Sequence, residues 1–154
     1  MPRRYVHQPV GIGAAAVVGA PGLAGLTPVQ AVVEMVGLGW GGLLGSRLPD
    51  QLDPPNRPGH WGFAHSVSVA TLAVHLTVRA GQMQAAIRSL ADELCAARPE
   101  FEEAPVGCCL MGVAEILVRL GAGFAVGLSA GYASHLVLDQ LQSKSSLPLI
   151  CRGI

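Results

Sequence analysis

A chain of 154 residues, half of them apolar and with ten basic side chains against ten acidic ones, is long enough for one domain with a core of its own. Its net charge is zero and its basic residues are not clustered, which excludes binding to nucleic acid by bulk charge. Sparse charge, 20 glycines and a mean hydropathy of +0.46 match a small helical membrane protein.

The fold class expected is therefore all-α, about four to six helices in one membrane-associated domain spanning residues 1–154. Arg3 and Arg4 stand ahead of a stretch, Tyr5 to Val33, that holds no charged residue. Pro9, Pro21 and Pro28 interrupt it, so the first helix is expected over Gln8–Ala20 and a second over Val29–Gly45. Thirteen residues reach only about 20 Å at helical rise, short of a hydrocarbon core of about 30 Å. Glu34, near the start of the second helix, is read as facing water or the helix dipole.

Pro49 to Ser66 follows, PDQLDPPNRPGHWGFAHS. Asp50, Asp53, His60 and His65 fall close together in a chain otherwise poor in charge. Mixed carboxylate and imidazole ligands suit Zn, Mn or Fe better than Mg or Ca. Pro49, Pro54, Pro55 and Pro58 argue for a stiff, non-helical loop between helices two and three.

Phe63–Ala80 is expected to be the third helix, near spanning length. His75, inside it, has no second ligand one turn away and is read as structural. Over Gln82–Ala97 the apolar residues Met83, Ile87, Leu90 and Leu94 share a face, with Arg88 and Asp92 as an i,i+4 pair on another. Arg98–Pro105 reads as a solvated acidic linker. Val106–Leu141 would be about 54 Å as one helix, which predicts a break at Gly121 and Gly123, with Glu115 and Arg119 paired locally just before it. Cys95, Cys108, Cys109 and Cys151 contain no CxxC spacing and read as small packing residues in a reducing compartment.

His135 and Asp139, four apart on the last helix, project from one face. For these to meet the loop, the chain must return to the side where it began. Two arginines ahead of the first helix make that side cytoplasmic by the positive-inside tendency.

GSRLPDxxD (Gly45–Asp53), HxGxxHS (His60–Ser66) and GYxSHLxLDxL (Gly131–Leu141), with an early histidine at His7, together resemble the membrane-bound, metal-dependent hydrolase family that includes a LexA-binding, inner-membrane-associated hydrolase of bacteria. The resemblance runs from about Tyr5 to Leu149. It implies that His7, Asp50, Asp53, His60, His65, His135 and Asp139 form the metal site. Two residues separate Asp50 from Asp53 where family members have one, and Trp61 and Ala64 stand in place of the family's Arg and Thr.

The function implied is hydrolysis at the bacterial inner membrane, with one to three divalent ions, Zn foremost and Mn or Fe as alternatives, activating water against a phosphoester or lipid substrate. Asp53 or Asp139 would serve as general base. The competing expectation is a non-enzymatic membrane adaptor that binds a LexA-type regulator and uses the metal as a structural staple. Haem held by His65, His75 or His135 fits the aspartate-rich loop poorly.

Overall fold

The computed structural model describes residues 4–54, 63–98 and 104–142, and among them the chain is all-helical without a strand. The six helices are α1 (Arg4–Gly19), α2 (Pro28–Gly45), α3 (Leu48–Leu52), α4 (Val67–Val78), α5 (Ala80–Ala97) and α6 (Pro105–Gln142). A 3-10 turn, Phe63–His65, leads into α4. His60, most of the acidic linker, Cys151 and the tail after Gln142 lie outside the described residues.

Local chemistry sets the helix starts. Thr27 and Gln30 form a capping box ahead of Pro28, whose fixed φ suits the first helical position. Ser66 caps α4 by accepting from the Val69 N–H at 3.3 Å. Pro9 does not break α1, because near the open end of the helix a missing N–H forfeits only one bond. The loop expected to be wholly non-helical opens instead with α3, in which Pro49 occupies the first turn, the helical position proline tolerates. The expected third helix is shorter than Phe63–Ala80: only 12 residues are α-helical, and α5 begins one residue after α4 ends.

The predicted break in the last helix is absent. α6 is continuous over 38 residues, about 57 Å at helical rise. Its glycines serve close approach instead. A Cβ on Gly123 would stand 2.1 Å from the Glu34 carbonyl oxygen, and one on Gly127 would stand 2.3 Å from that of Leu38. In return, α2 presents Gly37, Gly41 and Gly45 to the α6 backbone, and a Cβ on Gly41 would stand 2.3 Å from the Phe124 carbonyl oxygen. Two glycine rows at four-residue spacing thus interlock, which lets the backbones touch.

The register of these contacts gives the topology. Gly37 faces Leu120 and Gly45 faces Leu128, so α2 and α6 are parallel. α1 is antiparallel to both, with Gly11 against Gly42 and Ser46, and Gly19 against Leu38. α4 and α5 carry the chain away, and α6 brings it back. The start of α1, the end of α2, α3, the turn before α4 and the end of α6 therefore gather at one end of the bundle.

Near the other end, charge is buried. Glu34 is fully buried rather than facing water. Arg88 holds both its oxygens, with Nε donating to Oε1 at 2.7 Å, and Gln84 donates to Oε2 at 2.9 Å. Glu115 and Arg119 pair as expected at 3.1 Å, but Asp92 turns from Arg88 to accept from Arg119 at 2.6 Å. The acids and arginines prefer partners across helices because the cross-helix carboxylate of Glu34 has no water to satisfy it.

Pro105–Leu141 is the one helix among the described residues that is long and apolar enough to cross a membrane. Large apolar side chains are exposed on several helices, among them Val32 and Trp40 of α2, Val74 and Val78 of α4, and Leu110 and Leu117 of α6.

Candidate metal centre

The gathered end of the bundle brings together five of the sequence-nominated ligands, His7, Asp50, His65, His135 and Asp139. One turn of α6 separates His135 from Asp139, so both side chains leave the same face. α1 supplies His7, α3 supplies Asp50, and the 3-10 turn supplies His65. All three histidines and Asp139 are buried, whereas the Asp50 side chain keeps 27% of its surface.

The inward atoms face one another at close range. His135 Nε2 lies 3.3 Å from Asp139 Oδ2 and 3.6 Å from Asp50 Oδ1. His65 Nε2 lies 3.5 Å from Asp139 Oδ2 and 3.9 Å from Asp50 Oδ1. The other Asp139 oxygen, Oδ1, is 3.6 Å from His7 Nε2. Two sets could each hold an ion, His7 with His135 and Asp139, and Asp50 with His65 and His135; within each set the ligand atoms lie within 4.8 Å of one another. Ligands about 2.0–2.1 Å from a tetrahedral zinc stand about 3.3–3.4 Å apart, so the observed separations are close to those of an ion-binding shell.

The rear atoms make the case stronger. His135 Nδ1 lies 2.6 Å from the Ser46 carbonyl oxygen. A carbonyl only accepts, so Nδ1 carries a proton and Nε2 is the atom that faces the two carboxylates. Those carboxylates call for positive charge at Nε2, supplied by a second proton on the ring or, where Nε2 offers its lone pair, by a metal ion among the three. His65 Nδ1 is backed in the same way by Asp53 Oδ2 at 3.4 Å. A ring nitrogen tied to a carbonyl or carboxylate while the other points inward is the usual support of a metal-ligating histidine.

Asp53 belongs to neither ion-binding set. Its Oδ2 accepts from the Ala64 N–H at 2.7 Å and the His65 N–H at 3.3 Å, besides facing the His65 ring. It stands behind His65 and holds the turn that carries it. His60 is outside the described residues. His75 is exposed on α4, away from the site.

Two supporting groups went unnoticed in the sequence. Tyr132 donates its hydroxyl to the Ala64 carbonyl at 2.7 Å, a second grip on the 3-10 turn besides Asp53. Its place within GYxSHLxLDxL is the only signal that could have marked it. The Ser46 carbonyl, a main-chain group, carries no side-chain signal at all. The His7 and His135 rings stack with centroids 4.2 Å apart, which locks both orientations.

A pocket of about 360 Å³ opens over the cluster, lined by His7, Gln8, Ser46, Arg47, Asp50 and Gln51. The adjacent His135 imidazole lowers the Asp50 carboxyl from its ordinary value, against the opposing effect of burial. Asp50 is thus an ionised carboxylate at the floor of an accessible pocket.

Searches of family models, curated proteins and solved structures give no match to the chain.

Proposed function

We propose that the chain is a metal-dependent hydrolase of the bacterial inner membrane, acting on a phosphoester or related lipid substrate, with zinc as the leading metal. The observation that carries this reading is the gathering of His7, Asp50, His65, His135 and Asp139 into two ion-sized sets that share His135, with rear hydrogen bonds on His65 and His135. The donor set suits zinc, manganese or iron. A divalent ion bound there supplies Lewis acidity and an acidified water.

The chain's own residues do the rest. His7 and His135 with Asp139, and His65 and His135 with Asp50, would each hold an ion. Asp53 and the Ser46 carbonyl keep the two imidazoles in the ligating tautomer. Asp139, which faces three histidines through its two oxygens, is suited to binding, and Asp53 is committed to the turn. Asp50, the most exposed carboxylate of the cluster, would bring the ion it shares with His65 and His135 to the pocket. An apolar groove of about 330 Å³ beside the site, walled by Val69, Leu72, Leu128 and Tyr132, has the chemistry of a lipid tail.

Exposed apolar side chains on several helices support a membrane setting, with α1 and α2 reaching into the bilayer beside α6. The resemblance in motifs points the same way. A staple in an adaptor for a LexA-type regulator would close its ion off with protein on every side; the open pocket over His7 and Asp50 favours hydrolysis.

Elemental analysis of protein purified in mild detergent, without added metal or chelator, tests the reading. Near-stoichiometric metal that disappears in His135→Ala supports it, and a screen of phosphoesters and phospholipids then follows. A metal-free but helical wild-type protein would sink it.

A further inference from the structure

Arg47 lies exposed between α2 and α3 and lines the pocket over the metal cluster. Three arginines elsewhere in the bundle are committed to carboxylates: Arg88 to Glu34, Arg98 to Glu115, and Arg119 to Asp92 and Glu115. Arg47 makes no ion pair among the described residues. A guanidinium is a planar fork of donors that matches two oxygens of a phosphate at once.

The pocket's other charged wall is Asp50, which by itself would repel an anion. A bound cation between Asp50 and the histidines cancels that repulsion, so Arg47 and the metal must act together. The helices that line the pocket also expose apolar side chains, Val6 and Val10 on α1, Leu44 on α2 and Leu52 on α3. A polar pocket on helices with exposed apolar side chains suits a phosphate head at the edge of a hydrocarbon phase as well as free phosphate.

We infer that Arg47 is the anion-binding residue of this site, gripping two oxygens of a phosphate ester laid over the Asp50, His65, His135 and Asp139 cluster. The inference rests on the metal-dependent reading above. It makes Arg47 a substrate-binding residue with no part in holding the metal.

The test is calorimetric titration of inorganic phosphate into detergent-solubilised full-length protein, as metal-loaded wild type, chelator-stripped wild type, and metal-loaded Arg47→Gln and Arg47→Lys. Metal content is measured on every sample. The expected result is binding to loaded wild type, loss of binding on stripping, and about tenfold weaker binding in Arg47→Gln with metal content unchanged. Arg47→Lys, which keeps the charge without the fork, should fall between. Equal phosphate affinity in wild type and Arg47→Gln overturns the inference and leaves the metal reading standing, as does metal-loaded wild type that binds no phosphate. Failure of wild type to take up metal brings down both. Competition with micellar phosphatidylglycerol identifies the source: displacement of phosphate indicates a lipid head, and no displacement indicates a soluble phosphate ester.

Discussion

At the scale of single residues, the candidate centre depends on a division between atoms that face inward and atoms that hold them. Asp53 is the clearest case. Its Oδ2 reaches two backbone N–H groups and the His65 ring, so Asp53→Asn should leave the ligand count intact while loosening His65. Supporting partners of this kind are worth about 10–100-fold in metal affinity, and competition with a chromophoric chelator should read a loss in that range with helicity retained. Unchanged affinity would place Asp53 outside the site. Asp50, His65, His135 and Asp139 were legible in the sequence, because clustered or i,i+4-paired imidazole and carboxylate side chains stand out in so apolar a chain, whereas His7 was marked only by the resemblance. The contribution of Ser46 was not, since a carbonyl is common to every residue and only the α2–α6 contact brings this one to His135.

At the scale of elements, the glycines of α6 separate into two kinds that the sequence does not tell apart. Gly121 has open space where a Cβ would stand, whereas Gly127 has the Leu38 carbonyl oxygen at 2.3 Å. Gly121→Ala should therefore stabilise the protein by about 0.5–1 kcal/mol, the ordinary helical gain over glycine. Gly127→Val should drive α2 and α6 apart, lowering both thermal stability and metal content, because His135 meets Ser46 across the same interface. Thermal unfolding followed by circular dichroism checks both; a harmless Gly127→Val would refute the interlock. The break expected at Gly121 and Gly123 followed from treating glycine as a helix breaker, when close packing had selected it.

Glu34 belongs to this scale too, as the clamp that joins α2 to α5. Glu34→Ala strands Arg88 and Gln84 without their acceptor, and breaking a buried ion pair in this way costs about 3–5 kcal/mol. A paired Glu34→Met, Arg88→Met variant should recover most of that loss. Denaturant or thermal unfolding distinguishes the two, and equal stability of both variants would mean the pair contributes no more than its apolar replacement. Helical position near a start favoured an exposed Glu34. Its burial was decided by the neighbouring helices, which bring an arginine and a glutamine to it.

At the scale of the whole molecule, bound metal is expected to tie together ligands from four chain segments, in two sets that share His135. An ion that binds the folded state alone stabilises it by about 2.7 kcal/mol at a hundred times its dissociation constant. Stripping with chelator should therefore lower the unfolding midpoint of wild-type protein, and His135→Ala should be insensitive to chelator. Identical chelator responses in the two would argue that the cluster holds no ion.

Composition and periodicity by themselves determined an all-helical, apolar chain and the starts of α2, α5 and α6 to within two residues, because prolines and apolar spacing act over one turn. They also determined which side chains were available to bind a metal. Direction and contact were decided only by the tertiary structure. Whether Glu34 meets water or arginine, whether Asp53 faces the ion or supports His65, and whether a glycine bends a helix or seats it against another all depend on what lies across the interface. The parallel packing of α2 and α6 settles these together: it returns the end of α6 to the end of α2, where residues about ninety positions apart in the chain lie within hydrogen-bond reach.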